Sequence, residues 1–107
     1  MKNIYIKAIA DRIGVREWQV ENCAKLFEEG ATIPFVSRYR KERTGGLDEV
    51  AVAEVRHWVD VFAEMEKRKA TILETIEQAG GLTYDLRTKI ENSVESREIE
   101  DLYLPFK

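Results

Sequence analysis

The residues of this chain best suited to chemistry with a ligand are crowded between positions 35 and 43. Arg38, Arg40, Lys41 and Arg43 oppose one acid, Glu42, so this segment carries a local +3 within a chain of net charge −3. Cations at this density suit phosphate, because each neutralised phosphate releases condensed counterions. Two aromatic residues, Phe35 and Tyr39, are interleaved with them. The same cations also suit an internal brace against the stretch Glu91 to Asp101, where five acids against Arg97 leave a net −4. Exposed pairs of that kind contribute only a few tenths of a kcal/mol each.

Other chemistries find no constellation. His57 is the sole histidine, beside Trp58, and without a second ligand at suitable spacing it reads as a surface or boundary residue, so no metal is expected. Cys23, the sole cysteine, shares an apolar helical stripe with Val20, Ala24 and Phe27 and reads as a small core residue. A single cysteine forms no internal disulfide and fits a reducing compartment. Ser37, Ser93 and Ser96 lack the glycine-flanked elbow and acid–histidine pair that would activate them. Gly45-Gly46 and Gly80-Gly81 are isolated pairs, not phosphate-cradling loops, so no nucleotide cofactor is expected. No enzyme is expected.

With 107 residues, 44% hydrophobic and 35% charged, the chain can bury one core, and a single domain over 1–107 is the expectation. Two prolines and six glycines leave long uninterrupted stretches that favour an all-α fold. A pI of about 5.3 means that the mean field repels phosphate, which confines any nucleic-acid contact to a patch. Charges at Lys2, Lys7, Asp11 and Arg12 break up any apolar leader, and no uncharged run approaches spanning length. A cytoplasmic location without a membrane partner follows as the expectation. Leu102, Tyr103, Leu104 and Phe106 crowd the last residues, as in a piece of a longer chain.

Periodicity places the elements. Asn3 caps a helix over 3–13 with Ile6, Ile9, Ala10 and Ile13 inward and Gly14 as its stop. A second runs from near Arg16 to Gly30. Ala10, Gly14 and Val20 have helix-turn-helix spacing, and the second helix would then present Arg16, Glu17, Gln19, Glu21 and Asn22 outward. Two carboxylates aimed at a groove meet phosphate repulsion, which disfavours direct DNA reading by this helix. Pro34 opens a short basic helix over 34–43. If it is regular, Phe35 and Tyr39 share a buried face, Arg38 pairs with Glu42, and the cations divide, Arg38 and Lys41 to one side and Arg40 and Arg43 to the other. From Leu47 to about Ala79 one long central helix is expected, its stripe interrupted by Lys69, with the polar run Glu66 to Lys69 projecting beyond its neighbours. Thr83 caps a fifth helix with Leu86, Ile90 and Val94 inward, and a short acidic segment completes a C-terminal hairpin.

The segment Ala31-Thr-Ile-Pro-Phe-Val-Ser-Arg-Tyr-Arg-Lys-Glu-Arg-Thr-Gly-Gly-Leu-Asp-Glu49 resembles the signature of the N-terminal domain of the Tex family of bacterial transcription accessory proteins. Ile9-Ala-Asp-Arg-Ile-Gly-Val15 and Ile99-Glu-Asp-Leu-Tyr-Leu-Pro-Phe-Lys107 extend the likeness over nearly the whole chain. Val36-Ser37 and Phe106 depart from the common pattern without altering its chemistry. The resemblance implies a longer parent with an S1 domain that carries most of the nucleic-acid binding. It further implies RNA or DNA, the remaining domains of the same chain and the transcription machinery as partners. A purely architectural or protein-interaction module is the alternative.

Overall fold

The computed structural model describes residues 1–107 and contains only helices, seven of them followed by a 3₁₀ turn at Leu104–Phe106. The chain divides into two compact units, Met1–Val61 and Phe62–Lys107. No helix is long and apolar enough to cross a membrane.

In the first unit, α1 (Asn3–Ile13) and α2 (Glu17–Glu28) pack on each other across a turn at Gly14, whose φ of 71° is the left-handed conformation that closes a helix. The cap of α1 is Lys2, one residue before the expected Asn3. Tyr5, Ile6, Ile9 and Ala10 from α1 and Val20, Cys23, Ala24, Leu26 and Phe27 from α2 are buried. Burial raises the Cys23 thiol pKa to about 11, which makes it inert near neutrality. Two shorter helices follow, α3 (Ile33–Tyr39) and α4 (Lys41–Thr44). Then α5 (Glu49–Gln78) begins, with the Asp48 carboxylate accepting a hydrogen bond from the Ala51 amide at 2.8 Å. Thirty residues at 1.5 Å each make α5 about 45 Å long.

In the second unit, α6 (Tyr84–Asn92) and α7 (Ser96–Tyr103) form the expected hairpin. Thr83 caps α6 by accepting a hydrogen bond from the Leu86 amide at 3.1 Å. Phe62, Met65, Ile72, Ile76, Ile90 and Ile99 supply the apolar core. Lys69 joins them at 1% exposure, which corrects the expectation that this part of α5 projects into solvent. Its Nζ donates to the backbone carbonyls of Glu91 at 3.0 Å and Ser93 at 2.6 Å, at the C-terminal end of α6. Helix ends leave carbonyls without intrahelical partners, and a cation there satisfies them while opposing the negative end of the helix dipole. The stripe of α5 therefore continues through Lys69. Nearby, Arg68 forks onto Glu100 with two hydrogen bonds of 2.8 Å, which hold the Glu100 carboxyl below its usual range.

Candidate nucleic-acid interface

The basic segment folds as two short helices. Thr32 caps α3 by accepting from the Phe35 amide at 3.2 Å, and Pro34 occupies the first turn, where its missing N–H costs nothing. The helix ends at Arg40, whose φ of −131° and ψ of 35° separate α3 from α4. This break corrects the expected regular helix over 34–43. It also removes the i, i+4 geometry on which an Arg38–Glu42 pair depends, and no such pair forms.

The inward face differs from the expected one as well. Val36 and Ser37 are buried, whereas Phe35 is 38% and Tyr39 63% exposed. Ser37 is tolerated inside because its hydroxyl donates to the Pro34 carbonyl at 3.2 Å. The two rings lie 5.7 Å apart, tilted by 47°. Arg40 places its guanidinium 4.8 Å from the Phe35 ring centroid and donates from Nη1 to the Tyr39 carbonyl at 2.8 Å. An arginine on an aromatic face keeps its remaining donors free for an anion.

Side chains of α2 fix α4 in place. Gln19 Nε2 donates to the Thr44 carbonyl at 2.9 Å, and Asn22 Nδ2 donates to the Arg43 carbonyl at 2.8 Å. Two of the residues assigned outward in the helix-turn-helix reading are thus engaged by α4. Gly45 closes the helix at φ 68° against the Trp18 ring. The amide partners lie 25 and 21 residues away, and neither has a signal in the sequence.

An open groove of about 510 Å³ runs beside this segment, lined by residues that include Glu29, Thr32, Phe35, Arg40 and Arg43. Two of the four cations share the groove with Phe35. Arg40 and Arg43, both half-buried, line the groove, while Arg38 and Lys41 are exposed outside it. None of the four has a carboxylate partner. In the acidic stretch, Glu91 pairs with Arg87, and Glu100 with Arg68 and Lys107. No group of His, Cys, Asp or Glu is arranged to hold a metal ion.

A family model described as the Tex-like protein N-terminal domain matches residues 3–77, which include both helical pairs of the first unit and the basic segment. The chain belongs to this family. Among Tex-like relatives, Protein YhgF of Escherichia coli K12 is 40% identical over 107 residues, covering 100% of this chain and 14% of its own length. The Transcriptional accessory protein Tex of Neisseria gonorrhoeae is 39% identical over 101 residues, 94% of this chain and 13% of its own. A more distant relative, the human S1 RNA-binding domain-containing protein 1, is 26% identical over 102 residues, 95% of this chain and 10% of its own. The chain thus spans a small part of the Tex-like proteins it matches.

Proposed function

We propose that this chain is the helical N-terminal module of a nucleic-acid-binding transcription accessory protein, in which Arg38, Arg40, Lys41 and Arg43 add phosphate contacts. The observation that carries this reading is that all four cations lack a carboxylate partner, on a chain of net charge −3. Unpaired charge of the minority sign attracts phosphate locally even though the chain as a whole repels it. The names of two relatives, a transcriptional accessory protein and an S1 RNA-binding domain-containing protein, support the same assignment. In this reading the module works in the cytoplasm beside the other domains of its parent and the transcription machinery. It binds without catalysing a reaction and needs no cofactor.

A second reading, an architectural module without nucleic-acid contact, is favoured by Trp18 and Val50, which are 50% and 67% exposed in the first unit. Salt titration separates the two. Full engagement of four phosphates gives a slope of log K against log salt of about −3.6 on duplex DNA and about −2.8 on a single strand. Replacing all four cations with glutamine should abolish that dependence and most of the affinity. Unchanged binding and slope in the quadruple variant, or no binding by the parent sequence at low salt, would leave the architectural reading.

A further inference from the structure

The cations explain an attraction to phosphate but leave the two exposed rings without a role. Phe35 lines the groove together with Arg40 and Arg43, while Tyr39 is exposed beside it, 5.7 Å from the Phe35 ring. A duplex keeps its bases stacked inside, so it offers nothing to an exposed ring. A single strand has a flexible backbone and bases that can be splayed out. Its bases can stack on exposed rings while its phosphates meet the neighbouring cations. The groove volume of about 510 Å³ lies within the range of sites that hold one small ligand, which is the scale of one nucleotide.

We infer that Phe35, Tyr39, Arg40 and Arg43 form a site for one nucleotide of a single-stranded nucleic acid, the base stacked on one of the two exposed rings and the phosphate at the two arginines. The inference rests on the phosphate-binding reading above and adds the class of nucleic acid and the groups that contact the base. Arg40 is held by the Phe35 ring and the Tyr39 carbonyl, so its guanidinium is preorganised next to the surface on which the base would lie. Glu29 is the acid that lines the groove. It repels phosphate, which places the phosphate at the arginine end, and it accepts a hydrogen bond from an exocyclic amino group or a sugar hydroxyl.

Anisotropy titrations of the 107-residue chain with fluorescein-labelled oligouridylate, oligothymidylate and a duplex, each about twelve nucleotides or base pairs long, test this at low salt. Both single strands are expected to bind more tightly than the duplex, with any difference between them reporting contact to the 2′-hydroxyl. The double variant Phe35→Ala with Tyr39→Ala should lose about tenfold or more in single-strand affinity while keeping the salt slope, since stacking is not ionic. Arg40→Ala with Arg43→Ala should flatten the slope by about 1.4 on a single strand. In Tyr39→Trp, which keeps a stacking surface, indole fluorescence should be quenched on strand binding. Equal or tighter duplex binding, an aromatic variant of undiminished affinity, or an unquenched Tyr39→Trp would each overturn the base-stacking site while leaving the phosphate contacts standing. Failure of all three probes to bind at low salt would overturn both.

Discussion

Lys69→Met removes the amine that satisfies the end of α6 and keeps the length of the apolar stem. Replacing a buried charge with a hydrophobe of similar volume is often neutral or stabilising, so the sign of this effect is informative. Here the amine donates to the carbonyls of Glu91 and Ser93 at 3.0 and 2.6 Å, and methionine leaves both acceptors beside an apolar side chain. A buried polar group stripped of its partner costs about 1–3 kcal/mol, so the two together cost about 2–6, offset in part because no ammonium has to be desolvated. We expect a net loss of about 3 kcal/mol, which at about 5 °C per kcal/mol lowers Tm by about 15 °C. Thermal unfolding followed by circular dichroism at constant protein concentration measures this. Urea titration checks that the slope is unchanged and the native state is intact. Lys69→Ala should be worse, because it adds a cavity. A Lys69→Met variant as stable as the parent or more so would refute the reasoning, since the amine would then contribute nothing to holding the end of α6.

Gly45→Ala should lower stability by about 2–3 kcal/mol, from a left-handed backbone penalty plus loss of the Gln19 hydrogen bond. Its new Cβ falls 2.6 Å from the Trp18 ring and 2.7 Å from Gln19 Nε2. Gly46→Ala, also at positive φ but with nothing within 4 Å, should cost only about 1 kcal/mol; equal losses in the two melts would show that the Trp18 contact is immaterial. The Cys23 thiol, raised by burial from 9.0 to about 11, predicts a pH effect with a definite sign. Between those values the unfolded chain releases the thiol proton and the folded chain keeps it, so the contribution is intact below pH 9 and lost as pH rises toward 11. Relative to Cys23→Ala, the parent should therefore lose stability across this window in urea titrations, and parallel profiles would contradict the assignment.

The helix boundaries set by local chemistry were legible in the sequence. Gly14 ends α1 because a residue without Cβ closes the helix there, Thr83 caps α6 through its own hydroxyl, and Pro34 enters the first turn of α3. The course of α5 was legible too, since its apolar spacing persists over many turns, and the basic segment could be named in advance. The seven residues of α3 span about two turns, too few for periodicity to decide which side faces inward. Tertiary packing decided it, burying Val36 and Ser37 and leaving Phe35 and Tyr39 exposed.

What the sequence determined by itself was the all-helical class, the family and the four cations, because these depend on residue type and near-neighbour spacing. Whether a polar residue is buried, free or paired depends on groups brought from elsewhere in the chain. Lys69 reads as an interruption until the carbonyls of Glu91 and Ser93, 22 and 24 residues away, are placed around it. Gln19 and Asn22 read as an outward face until α4 covers them. Arg38 and Glu42 read as an i, i+4 pair until the break at Arg40 is seen to part α3 from α4. Hydrogen bonds and ion pairs are satisfied over a few ångströms of space, whatever the distance along the chain, and only the tertiary structure supplies those distances.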